Sequence, residues 1–109
     1  MKQPEPYLHH IIDAIDTIFQ YSKNLDYSSF KKDRKTQDAI IRQLEIIGEA
    51  SSKLEENFIQ THSHIPWRDI KDFRNKLIHD YWELDTELIW NVATREIKKL
   101  RNQLLDIRF

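Results

Sequence analysis

One glycine and three prolines serve the whole of this 109-residue chain. That scarcity constrains the fold more than any single motif. Tight β-hairpins draw on turn pairs such as Asn-Gly or Asp-Gly, and neither occurs here. Apolar residues instead recur at spacings of three and four, the period of a helix with one buried face. The length gives one domain, 1–109, with a single small core. An all-α bundle of four to five helices follows.

The boundaries can be placed from local chemistry. Pro6 suits the first turn of a helix, and Leu8, Ile11, Ile12, Ile15, Ile18 and Phe19 continue it. A break over Asn24 to Ser29 brings N-cap hydroxyls in Tyr27-Ser28-Ser29, with a short helical turn expected over Phe30 to Asp33. Ile40, Leu44, Ile47, Ser51, Leu54 and Phe58 then predict a long helix from Thr36 to Asn57. Gly48 lies inside it, where glycine costs roughly 1 kcal/mol relative to alanine, so it should mark close approach of another backbone. Thr61 to Pro66 reads as a polar loop. A helix from Trp67 carries Ile70, Phe73, Leu77 and Tyr81 on one stripe. After a break at Glu83-Leu84-Asp85, with Asp85 as N-cap, Trp90, Ala93, Ile97, Leu100, Leu104 and Ile107 mark a last helix from Thr86.

Composition removes several classes of function. Without cysteine there is no disulfide or thiolate site. The net charge of −1 provides no global attraction to nucleic acid or anionic membrane, so RNA binding would rest on a local patch. The N-terminus has Pro4, Glu5 and Pro6 but no long apolar run, so neither a signal peptide nor a membrane anchor is expected. The default location is the cytoplasm, with no membrane partner.

Chemistry is concentrated in Phe73-Arg74-Asn75-Lys76-Leu77-Ile78-His79-Asp80-Tyr81. Arginine grips phosphate with a planar fork of donors, and histidine exchanges protons near neutrality. Together they form a minimal kit for cutting a phosphodiester without a metal or other cofactor. His79 would take a proton from a ribose 2′-hydroxyl or protonate the leaving 5′-oxygen. Arg74 would hold the phosphate and offset developing charge. Asn75 could orient the imidazole or phosphate, and Tyr81 could donate to a phosphate oxygen or stack on a base. On a straight helix Arg74 and His79 diverge by about 140°. The pairs that share a face are Asn75 with His79 and Arg74 with Tyr81. A composite cleft at a two-fold homodimer interface would close the site. The structural alternative is Arg74 paired with Asp80 or another acid, and His79 as a solvated surface residue.

Other groups carry weaker signals. Lys31, Lys32, Arg34 and Lys35 form a basic cluster suited to an RNA backbone, or to a solvated helix entry. Lys98, Lys99 and Arg101 suit the C-terminal dipole of the last helix. His62 with His64, and His9 with Asp13, lack further ligands at metal-site spacing, so no metal site is expected. Trp67, Trp82 and Trp90 are stacking platforms or core residues.

Arg74-Asn75-Lys76-Leu77-Ile78-His79-Asp80-Tyr81 resembles the Arg-x4-His-x-Tyr signature of the HEPN superfamily, in its HepT-like branch. Arg42 to Ala50 resembles the branch's helix with an Ile-Gly-Glu-Ala centre, and Ile65-Pro66-Trp67-Arg68 its loop before the motif helix. Trp90 and the apolar C-terminal helix also fit. The resemblance implies a four- to five-helix homodimer. It further implies a metal-independent endoribonuclease toxin of a type VII toxin–antitoxin pair, with tRNA as one target class. Arg74 and His79 would be the catalytic pair, assisted by Asn75. An MntA-like nucleotidyltransferase antitoxin would silence the toxin by adenylylating Tyr81. Two other readings use the same residues: a non-catalytic nucleotide- or RNA-binding module, and a helical interaction domain that partners a nucleotidyltransferase.

Overall fold

The computed structural model describes residues 3–107, apart from the side chain of Tyr81. The described residues form helices and turns, with no strand. Helix α1 (Glu5–Ser22) has a proline in its first turn and buries Leu8, Ile11, Ala14, Ile15 and Ile18. It lies along α3 (Arg34–Ser51), which buries Ile40, Ile41, Leu44 and Ile47. Burying one such side chain fully contributes about 1.5–3 kcal/mol, so this pair is the spine of the core. The last helical run also packs on α1. It comprises α6 (Thr86–Asn91), a π-helical turn (Val92–Glu96) and α7 (Ile97–Leu105).

Capping decides where the first half breaks. Asn24 takes a positive φ of 66°, a conformation asparagine tolerates better than most residues. Asp26 then accepts from the Ser29 N–H at 2.8 Å and starts α2 (Tyr27–Lys31). The expected turn over Phe30 to Asp33 therefore lies too late, and the cap is a carboxylate rather than a Ser28 or Ser29 hydroxyl. Asp33 starts α3 by accepting from the Thr36 N–H at 3.0 Å and the Thr36 hydroxyl at 2.6 Å.

The long helix expected to reach Asn57 stops at Ser51. There Ser51 Oγ donates to the Ile47 carbonyl at 2.8 Å and Ser52 Oγ to the Glu49 carbonyl at 2.6 Å. Such local bonds compete with helical ones. Apolar spacing continues through the break because Leu54 is still buried, which is why periodicity misses it. A separate helix α4 (Glu56–Thr61) follows, so Thr61 belongs to a helix rather than to the loop.

Helix α5 (Trp67–His79) packs on α3 and ends two residues before Tyr81, which opens a 3-10 turn (Tyr81–Glu83). Asp85 caps α6 as expected, accepting from the Glu87 N–H at 2.9 Å. The π-turn was not foreseen. The Ile97 N–H reaches back five residues to the Val92 carbonyl, while Ala93, Ile97, Leu100 and Leu104 remain buried. Arg101 does not serve the helix dipole; its Nε donates to Asp16 Oδ1 at 2.8 Å and fastens α7 to α1. Lys99 lies 3.7 Å from Glu96.

The two caps make the corner around α2 sensitive to acid. Hydrogen bonds from the Ser29 N–H and hydroxyl lower the Asp26 pKa, and those from the Thr36 hydroxyl and N–H lower that of Asp33. A carboxyl depressed in the folded state adds stability above its unfolded pKa, which is lost as pH falls through the folded one. Their contribution should be complete at neutral pH and decline below about pH 4. Asp33→Ala should lower the thermal midpoint at pH 7 and converge toward wild type in acid. Circular-dichroism melts of both proteins across that range provide the check.

Candidate functional site

Helix α5 is held from its start. Trp67 is buried and its indole N–H donates to the His62 carbonyl at 3.0 Å. Leu77 is fully buried, and Ile70 and Phe73 pack against the core beside it. Arg74 also turns toward α3, where it meets Gly48. A Cβ on that glycine would stand 2.3 Å from Arg74 Cβ and 2.4 Å from its Cγ. The one glycine of the chain is therefore the place where the arginine stem crosses the α3 backbone. Close approach was the expectation for Gly48; that its neighbour is the motif arginine was not legible.

The guanidinium is half-committed. Nη1 donates to Asn75 Oδ1 in a long contact of 3.4 Å, while Nε is buried without a hydrogen-bond partner. A buried unmade bond on a charged group is expensive, and such groups concentrate where a ligand completes them. Among the described residues Arg74 forms no ion pair, so the alternative of a structural bridge to Asp80 is not realised. Asn75 is half-buried, and His79 is exposed in the last turn of α5.

The helix thus joins Arg74 to Asn75 by a hydrogen bond and aligns Asn75 with His79 by their four-residue spacing. Arg74 faces α3, whereas His79 leaves the helix about 140° further round. The expected alignment of Arg74 with Tyr81 needs a helix through residue 81 and does not hold. The Asp80 N–H bonds the Lys76 carbonyl at 2.9 Å and the Glu83 N–H bonds the Asp80 carbonyl at 2.9 Å, turning the chain away. The Tyr81 side chain itself lies outside the described residues. Two apolar side chains stand open nearby: Ile78 at 43% exposure and Trp82 at 85%. Trp82 could not be sorted from Trp67 and Trp90 by sequence, yet those two are packed. Trp90 stacks near Phe30 with ring centroids 4.9 Å apart.

The remaining candidates stay apart from this run. Lys31, Lys32, Arg34 and Lys35 are exposed at the corner between α2 and α3, and Arg34 pairs with Asp38 at 3.1 Å. The His62 ring packs on Phe58 at 4.5 Å and lies 6.2 Å from the His64 ring. His9 and Asp13 are exposed on α1. Among the described residues no three metal-ligating side chains converge. No helix is long and apolar enough to cross a membrane.

Known proteins are similar to this chain in sequence. The family described as "Ribonuclease HepT-like" matches residues 11–107. A Caldanaerobacter subterraneus subsp. tengcongensis protein named "Putative RNase" is 38% identical over 107 residues, covering 98% of this chain and 96% of its own. A Thermococcus cleftensis protein named "Probable ribonuclease HepT" is 38% identical over 102 residues, covering 94% and 93%. In Methanocaldococcus jannaschii a "Gamma-glutamylcyclotransferase and putative RNase" is 38% identical over 97% of this chain but only 48% of its own. No solved structure matches.

The Gly48–Arg74 crossing generates a sharp stability test. Gly48→Ala gains about 1 kcal/mol of helix propensity but must push α5 away, an overpacking cost of about 1–3 kcal/mol or more. The variant should melt several degrees below wild type. Arg74→Ala should not rescue it, because the nearest atom is Arg74 Cβ, which alanine keeps. Thermal melts of both single variants and the double variant measure this.

Proposed function

The chain belongs to the HepT-like ribonuclease family, and we propose that it is an endoribonuclease toxin whose reaction is carried by Arg74 and His79. The observation that carries this reading is the guanidinium of Arg74. Its stem is pinned over Gly48, its Nη1 is joined to Asn75 and its buried Nε is left unsatisfied. Such a group can receive a phosphate with little rearrangement. The ribonuclease names of the relatives point to the same substrate. His79 is open to solvent, as a proton carrier for a bound strand must be.

The chemistry is general acid–base transfer. A 2′-hydroxyl loses its proton to a base and attacks the neighbouring phosphorus, and the bond to the 5′-oxygen breaks as that oxygen gains a proton. His79 serves one of these two proton transfers. Arg74 stabilises the extra negative charge on the phosphoryl oxygens, and Asn75 orients the guanidinium. Solvent serves the other transfer, so the proposed scheme runs without a metal.

Divergence of Arg74 and His79 around one helix favours a homodimer, in which two α5 helices face each other and complete a shared cleft. The open Ile78 beside His79 suits such a contact. A nucleotidyltransferase antitoxin of the MntA type would silence the toxin in a type VII pair. The Tyr81 hydroxyl would attack the α-phosphorus of ATP, forming tyrosyl-AMP and releasing pyrophosphate. Tyr81 follows His79 by two residues, so the added charge and bulk would lie close along the chain to the proton-transferring histidine. tRNA is a target class consistent with this reading.

Expression of wild type beside His79→Ala and Arg74→Ala tests the catalytic assignment. Wild type should arrest growth and leave RNA fragments on gels, and each variant should lose at least about 100-fold in cleavage rate. Equal behaviour of all three would remove the nuclease assignment; RNA retained uncut by all would favour a binding module. Incubation with ATP and the nucleotidyltransferase should add the mass of AMP to wild type and not to Tyr81→Phe. Sedimentation should give a dimer at micromolar concentration.

A further inference from the structure

Trp82 is the largest apolar group left open to solvent, at 85% exposure. An isolated exposed side chain needs no explanation, but Trp82 borders a groove. A cavity of about 350 Å³ runs between α3 and α6, walled by Phe30, Ile41, Leu84 and Ile89, with Trp82 and Arg34 on its rim. Its place follows from the direction of α3. Gly48 lies against Arg74, whereas Ile41, seven residues earlier, lines the groove with Trp82. Two turns of helix, about 10 Å, therefore separate the phosphate-holding arginine from the groove.

We propose that this groove is a nucleobase subsite for single-stranded RNA, in which a base next to the cleaved linkage stacks on Trp82. The inference rests on the ribonuclease reading above and names how the strand is held beside that site. Flat apolar walls suit the faces of a base, and stacking on an aromatic ring is largely independent of sequence. The polar edge is already ordered. Gln37, which lines the groove, spends its amide N–H groups on the Phe30 and Lys31 carbonyls, at 2.8 and 3.0 Å, so its Oε1 is the atom left to accept. Thr86 Oγ1 is shared with the Tyr27 hydroxyl at 3.1 Å.

The exposed cations beside the groove favour RNA as its occupant, although Asp38 also lines it. Arg34 on the rim is 72% exposed even in its pair with Asp38, and Lys31, Lys32 and Lys35 stand open at the same corner. These cations suit the phosphates flanking a stacked base. The exposed Glu83 and Asp85 lie on the same side, so the groove is ringed by charges of both signs. The basic cluster and Trp82, unconnected in sequence, thus become two parts of one binding surface.

A 2′-O-methyl oligouridine is the probe, because it lacks the attacking hydroxyl and reports binding alone. It should quench the exposed tryptophan in wild type. Trp82→Ala should weaken its binding by about tenfold, the scale of one stacked base. Trp82→Phe keeps a stacking ring, so affinity should stay within about threefold while the quench disappears. Arg34→Gln should lower the slope of log affinity against log salt by about one. In cleavage assays Trp82→Ala should raise KM and leave kcat nearly unchanged.

Equal affinity in wild type and Trp82→Ala overturns the subsite. So does a tryptophan signal that responds to protein concentration and not to the oligonucleotide, which would mean a second copy covers the face. Cleavage with unchanged KM in Trp82→Ala rejects the subsite and leaves the nuclease assignment standing. Quenching by the oligonucleotide in a wild type that cuts no RNA supports the subsite and rejects the nuclease.

Discussion

The crossing of Arg74 over Gly48 is the contact on which the rest of the structure depends. Helix α5 packs mainly on α3 and the turn that follows it, so its placement is decided by how closely those two backbones approach. A glycine inside a helix is costly, and here it gains a separation that no side chain would permit. The residue that uses this space is not an aliphatic core residue but the cation of the motif. Its methylene stem supplies packing, as long cationic side chains often do, and its guanidinium is delivered to a fixed position. Folding and the proposed phosphate recognition therefore share one contact.

The remaining architecture divides into a frame and an attached helix. α1, α3 and the last helical run enclose the fully buried isoleucines, with Arg101 and Asp16 tying the first helix to the last. α5 stands at the edge of that frame. Its N-terminal half is anchored by Trp67 and its middle by Arg74 and Leu77. Its C-terminal end is less enclosed, since His79 and Asp80 are exposed and the chain turns at Tyr81. A phosphate grip benefits from rigidity, whereas a proton carrier must meet its substrate in the open. The gradient of burial along one helix matches those two demands.

Periodicity made the helical class, the entries of α5 and α6 and the burial stripe of α5 legible, because these features repeat over many residues. It failed where one or two hydrogen bonds decide the outcome. The hydroxyls of Ser51 and Ser52 end α3 without disturbing its apolar pattern. The π-turn at Val92 absorbs an extra residue while the stripe stays buried. Asp26 and Asp33 outcompete nearby hydroxyls as caps. At the site, the motif residues were readable as chemical types, and the glycine as a close approach. Their pairing was not, because the contact joins positions 26 residues apart and belongs to tertiary packing. The helix end beside Tyr81 was missed for a local reason: apolar spacing continues the stripe to residue 81, but the helix has already ended at His79.

A chain with net charge −1 must bind a polyanion without the help of its overall field. Attraction must then be local, and the surface offers two separate sources. Arg74 presents donors that the fold leaves incompletely satisfied, and the corner between α2 and α3 gathers four cations. Neither source alone fixes a strand, since a single phosphate contact is weak and solvated lysines are mobile. The span between them is bridged by Trp82 and the apolar groove, where affinity comes from ring stacking rather than ion pairing. This division explains how a nearly neutral helical domain can engage RNA. In the proposed mode charge holds the phosphates at two points and an uncharged aromatic surface holds the base between them, while acids more distant than the screening length do not oppose either interaction.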